Sequence, residues 1–132
     1  ARFDDLLNYI PARLTSLFIV LASMNAKGGV LLSIKSILRD SKNHASPNAG
    51  WPESAMAGSL NLWLGGPRHY GNRLRQATKL NGDGDDATGA NINHALVIMR
   101  TALWLFGLAL LIFGTPALAR GMVAGWQMIA GI

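Results

Sequence analysis

The chain has 132 residues, of which 50% are hydrophobic and only 14% charged, with 15 glycines and no cysteine. That is one domain's worth of sequence, too apolar for a disordered segment and too short for a multi-domain enzyme; without cysteine there is no disulfide framework, thiolate nucleophile, iron–sulfur cluster or cysteine-ligated zinc. A net charge of +5 favours anionic small molecules or anionic lipid headgroups as partners, and the greasy composition sets nucleic acid aside.

The chain opens on Ala1 with no cleavable-signal pattern, and we read residues 1–132 as a single domain, a fragment of a longer membrane protein. Its first polar group is Asp4-Asp5-Leu6-Leu7-Asn8-Tyr9-Ile10-Pro11-Ala12-Arg13. On a helix Asp4 and Asn8 share a face, as do Asp5 and Tyr9, and Pro11 breaks or restarts that helix. Paired carboxylates with an amide one turn away can hold Mg²⁺ and its phosphates. The plainer alternative is a helix cap with Arg13 marking the membrane interface.

Residues 14–34 form a short apolar segment interrupted by Lys27-Gly28-Gly29. The thirteen residues before the break make about 20 Å of helix, short of the ~30 Å hydrocarbon core, so the segment is re-entrant or packs on other helices. Residues 35–94 read as a polar, glycine-rich helical loop region. Within it Ser46, Asn48 and Gly50 form a turn that feeds a helix opened by Pro52 and Glu53 and expected to reach Leu64, a junction of the kind that binds anions. Gly65-Gly66-Pro67 should stop that helix. Beyond it Arg68, Tyr70, Arg73, Arg75 and Lys79 make a basic stretch suited to phosphates, or to resting on anionic lipid.

The histidines, His44, His69 and His94, have no ligand spacing, and the acidic turn at 81–86 lacks the glycine and glutamate a calcium loop needs. Asp86 or Thr88 should cap the next helix. Residues 95–114 carry one charge, Arg100, and read as a transmembrane helix stopped or kinked at Gly114-Thr115-Pro116, with an apolar tail at 121–132. A core this small could hardly cover the nineteen residues Ala95–Phe113, apolar on every face. The fold class is all-α: an integral-membrane helical domain. Nine of the twelve basic residues lie between Lys27 and Arg100, which points to the cytoplasmic side for the segment between the apolar runs.

The order of the motifs carries more information than any one of them. Asp-Asp-x-x-Asn-Tyr-x-Pro-Ala-Arg-Leu at 4–14, Ser-Pro-Asn-Ala-Gly-Trp-Pro-Glu-x-Ala-Met-Ala-Gly at 46–58, and Leu-Gly-Gly-Pro at 64–67 with Tyr70-Gly71 resemble the CobD/CbiB family. These are integral-membrane adenosylcobinamide-phosphate synthases of cobalamin biosynthesis, and the likeness is to their carboxyl-terminal portion. Where the family pattern has lysine-proline, this chain has Lys79-Leu80. The resemblance implies a multi-pass cell-membrane protein with its active site on the cytoplasmic face. Its reaction is ATP-dependent amide formation between adenosylcobyric acid and (R)-1-aminopropan-2-ol phosphate, the corrinoid being substrate and not bound cofactor.

On that reading Asp4 and Asp5 bind Mg²⁺ and, with Asn8, Arg13 and Glu53, form the catalytic set, Glu53 taking the proton from the attacking ammonium. Ser46, Asn48, Gly50, Gly65, Gly66, Arg68 and Tyr70 bind substrate or its phosphate, Arg13 sharing that task. The partners are the bilayer, anionic small-molecule substrates and the rest of the parent chain, without which the fragment should be inactive. Two other readings stand beside it: a non-catalytic membrane sensor or scaffold of the AmpE type, and a piece of a transporter with a broken helix.

Overall fold

The computed structural model describes residues 2–71, 73–75 and 77–130; the side chains at 68–70, 73–75, 117–119, 121–126 and 128–130 lie outside that description. Among the described residues five helices dominate: α1 (Arg2–Leu7), α2 (Tyr9–Ala22), α3 (Gly29–Asp40), α4 (Gly50–Leu60) and α5 (Gly89–Ala130). The all-α expectation holds in the main, the chain being mostly helical with little strand, and the polar region at 35–94 is more ordered than a helical loop region implies. Its described residues include the second half of α3, all of α4 and four short strands: β1 (Leu64–Gly65), β2 (Arg68–Tyr70), β3 (Arg73–Arg75) and β4 (Lys79–Leu80). β2 and β3 pair antiparallel with His69 opposite Leu74, and β1 pairs antiparallel with β4, Leu64 opposite Leu80.

Local chemistry explains the boundaries. α1 and α2 meet at Asn8, where Pro11 has no N–H to offer the carbonyl of Leu7, while the backbone N–H groups of Asn8 and Ala12 still bond to Asp4 and Asn8. α2 ends in a 3₁₀ turn at Ser23–Asn25, and α3 starts at Gly29, the second of the two glycines. α4 begins at Gly50 and ends at Leu60, four residues before the expected Leu64, because Asn61 takes the left-handed conformation (φ 54°) that asparagine tolerates. Gly65 and Gly66, at φ 88° and 77°, therefore shape the β1 turn and do not stop a helix.

α5 starts at Gly89 behind Thr88, whose backbone N–H and hydroxyl both donate to Asn91 Oδ1. Thr88 is thus the capping residue of the two expected, while Asp86 accepts a bond from Trp63 Nε1 instead. The helix does not stop at Pro116 but runs through it to Ala130, so the expected transmembrane stretch and residues 121–130 of the apolar tail belong to one helix.

α4 packs against α3 and α2, and α2 packs against α5. Ile19, Val20, Ile37, Ala55, Leu60, Leu62, Ile98 and Ala102 form the buried apolar cluster, and Phe18 meets Phe106 edge-on at 5.4 Å between centroids. Small residues let α3 and α4 approach closely, and Ser33 Oγ donates to the carbonyl of Ala55 across that seam at 2.8 Å.

Residues Gly89–Pro116 of α5 are long and apolar enough to cross a membrane, and only 11% of the most apolar window is buried by the rest of the chain. Leu103, Trp104, Leu108, Leu111 and Phe113 are all exposed, a distribution costly in water. Since the chain has no cysteine, labelling gives a clean check. In membranes, Leu103→Cys should resist a water-soluble maleimide until detergent is added, while Asn93→Cys reacts at once. Equal reactivity at the two positions would put α5 in water.

Candidate active site

The first and second polar motifs, some forty residues apart, meet in one surface cleft of about 350 Å³ lined by Asp4, Asp5, Asn8, Pro11, Ala12, Thr15, Ser46, Asn48, Ala49 and Pro52. α1 brings the carboxylates, the α1–α2 junction brings Asn8, and the turn before α4 brings Ser46 and Asn48. The helical spacing behaves as expected: Asn8 Nδ2 donates to Asp4 Oδ1 at 2.9 Å and to the Asp4 carbonyl at 3.1 Å.

Asn48 is the joint between the two motifs. It is buried, with 7% of its surface exposed. Its Nδ2 donates to the carbonyl of Asp5 at 2.8 Å, and its Oδ1 accepts from Arg13 Nη1 at 2.6 Å. Those two bonds also settle which end of the amide is oxygen.

Ser46 Oγ accepts from the N–H groups of Asn48 and Ala49 at 3.4 and 3.2 Å. The junction therefore uses those donors itself and does not hold them out to an anion. Gly50 has a packing role: a Cβ there would collide with the Ser41 carbonyl and lie 2.7 Å from His44 Cβ.

The structure places the other expected residues elsewhere. Arg13 is not among the cleft-lining residues. Glu53 sits on α4 with its carboxylate 3.5 Å from His44 Nε2 and lies outside the cleft lining. Gly65 and Gly66 belong to the β1 turn, where Gly66 lies near Trp63 and Lys79. Arg68 and Tyr70 contribute backbone to β2, but their side chains fall outside the described residues. Thr15, Pro11 and Ala12 line the cleft without having been expected there. Asn8, Pro11, Ala12 and Thr15 follow one helical face at i, i+3, i+4 and i+7, the signal that would have found them.

The lining carries two carboxylates and no cationic side chain. A phosphate on its own is repelled from such a surface, whereas a divalent cation is attracted. Among the described residues no cluster of three or more His, Cys, Asp or Glu could hold a metal ion. Two carboxylates and an amide oxygen nevertheless suit Mg²⁺, which keeps several waters and shares its shell with substrate phosphates. The donor set fits that ion.

A second polar cluster fixes the far end of α3. Asp40, buried, accepts from Arg39 Nε and Nη2 at 2.8 and 3.0 Å and from the backbone N–H of Asn81 at 2.7 Å. Burial pushes its carboxyl upward, but these bonds outweigh it and hold the pKa below the ordinary carboxylate value. Asp85 is also lowered, through its ion pair with Lys27 at 2.6 Å. Neither group lines the cleft.

Among the described residues the chain is thus a helical scaffold with one helix long and apolar enough to cross a membrane, and it carries an acidic, oxygen-rich cleft built from two distant motifs. The family model described as CobD/Cbib protein matches residues 1–99, and the chain belongs to that family. It is similar to the cobalamin biosynthesis protein CobD of Rhodobacter capsulatus, 46% identical over 104 residues, covering 78% of this chain and 32% of the relative. With the Brucella suis protein of the same name it is 44% identical over 110 residues, 80% of this chain and 33% of the relative. With that of Pelobacter propionicus it is 38% identical over 122 residues, 92% and 37%. The chain thus spans about a third of the length of the curated relatives it matches. No solved structure matches it.

Proposed function

We propose that this chain supplies part of the active site of a cobalamin-biosynthesis enzyme that joins adenosylcobyric acid to (R)-1-aminopropan-2-ol phosphate by an amide bond. The observation that carries the reading is the meeting of the two motifs at Asn48, which binds the Asp5 carbonyl on one side and Arg13 on the other.

In the proposed chemistry a propionate oxygen of the corrinoid attacks the γ-phosphorus of ATP, and ADP leaves. The amine nitrogen then attacks the acyl carbon, phosphate departs, and the ammonium proton passes to a base. Asp4 and Asp5, with Asn8, would hold Mg²⁺. Bound there, the cation offsets the charge repulsion among phosphates and carboxylates.

With Asp4 and Asp5 engaged by the cation and Glu53 turned toward His44 outside the cleft lining, the ammonium proton would pass to the departing phosphate. Asn48 fixes the wall opposite α1, and Ser46 stiffens the turn that carries it. We place the protein in the cell membrane as a multi-pass chain with this cleft on the cytoplasmic side, where ATP is available.

The test is a chimera in which this chain replaces the matching segment of the Rhodobacter capsulatus relative. It is introduced into a strain blocked between cobyric acid and cobinamide. The unsubstituted chimera should restore growth, while Asp5→Asn and Asn48→Ala should each lower turnover about 100-fold, the scale of a misplaced reacting group. Complementation by both variants at the unsubstituted level would remove the cleft from the reaction.

A further inference from the structure

We infer that Arg13, packed against the rings of Tyr9 and Trp51, is a positioning residue for Asn48 and not a ligand of the substrate's phosphate. The inference deepens the reading of the cleft as the active site and rests on it.

The geometry of the guanidinium is the argument. Its Cζ lies 3.7 Å from the centroid of the Tyr9 ring and 4.7 Å from that of Trp51, so aromatic faces lie close against the planar cation. Three of its five N–H donors bond to protein: Nη1 to Asn48 Oδ1 at 2.6 Å and to the Tyr9 carbonyl at 3.1 Å, Nη2 to the Pro47 carbonyl at 3.4 Å. Nε is buried with no partner. Arg13 is absent from the cleft lining while Asn48 is part of it.

A cation placed to receive a phosphate keeps its fork of donors turned toward the ligand. Here the fork grips the turn before α4. What reaches the cleft is the consequence: an asparagine amide held by a charge-assisted bond on one side and a backbone carbonyl on the other. Tyr9 and Trp51 serve this arrangement indirectly, by fixing the plane of the guanidinium.

The two roles separate under substitution. Arg13→Lys keeps the positive charge, so a phosphate ligand would be largely preserved, but it loses the planar fork and the stack. Trp51→Phe keeps an aromatic face; Trp51→Leu keeps apolar bulk without one. In the chimera, Arg13→Lys and Trp51→Leu should lower kcat about 100-fold. KM for the amino alcohol phosphate should stay within about threefold, and Trp51→Phe should rescue most of the turnover.

A second measurement needs no turnover. Solvent exchange of the Asn48 side-chain amide, read by NMR on the chain in detergent micelles, should rise about tenfold or more in Arg13→Lys and Trp51→Leu and not in Trp51→Phe. Unchanged exchange in Arg13→Lys, or a raised KM with kcat intact, overturns the inference. Full turnover by Asp5→Asn would instead overturn the reading of the cleft, leaving the exchange data to judge the Arg13 geometry alone.

Discussion

Gly58→Val should destabilise the fold by more than about 3 kcal/mol, because it forces apart two helices that touch backbone to backbone. A Cβ at position 58 would lie 2.5 Å from the Leu32 carbonyl oxygen and 2.6 Å from Ser33 Cα. Neither atom can swing away as a side-chain tip can, so α3 and α4 must separate, and the Ser33–Ala55 bond across the seam is lost. Opposite it, Gly28 would push its own Cβ into the Gly58 carbonyl, so the seam is closed from both sides.

The alanine variants give the sharper test. Gly58→Ala gains about 1 kcal/mol of helix propensity, yet the collision should outweigh that gain. Gly107, in the middle of α5, has nothing within 4 Å of its would-be Cβ, so Gly107→Ala should show the propensity gain alone. Thermal melting in detergent should move the two variants in opposite directions; a stabilised Gly58→Ala would show that the seam is loose.

Asp40→Ala should cost about 2 kcal/mol, since it leaves the buried Asn81 N–H without its acceptor and takes two bonds from the half-exposed Arg39, which keeps Asp83. Asp40→Asn keeps an acceptor for Asn81 and should cost roughly half as much. The effect depends on pH with a fixed sign. Folding lowers the Asp40 pKa from its ordinary 3.8, so the ionised group stabilises the fold above that value, and the contribution is lost as pH falls through the lowered folded value. Denaturation of wild type and Asp40→Asn should therefore differ most near neutral pH and converge at the acid end. A gap that stays constant down to the acid limit would mean that Asp40 does not act through its charge.

The sequence made some of this architecture plain and hid the rest, for physical reasons. The pairing of Asp4 with Asn8 follows from helical spacing alone, whereas a shared site for the two motifs was only implied by the resemblance to the CobD/CbiB family. The end of α4 was not legible. Leu62 and Leu64 continue an apolar pattern that reads as helix, and a single asparagine in the left-handed conformation ends it first. The strands β1 to β4 have two or three residues each, too few for alternation to register. Arg13 was expected beside a phosphate because sequence gives its charge but not the direction of its donors. Glu53 was expected in the cleft because its neighbours in sequence are there, yet one helical step turns it toward His44.

The tie between α3 and the segment after β4 also bears on chemical ageing. Asn81 precedes Gly82, a dipeptide whose unhindered amide nitrogen readily closes on the asparagine side chain and converts it to a carboxylate. In the native state that side chain is buried, at 2% exposure, and its Nδ2 donates to the carbonyls of Ala57 and Leu62, so the ring closure is held off. Once the chain opens the protection ends, and a carboxylate formed at 81 would return to face two carbonyl oxygens with no proton to offer either. Time spent unfolded is thus written into the covalent structure, and refolding becomes less complete the longer the chain is kept hot.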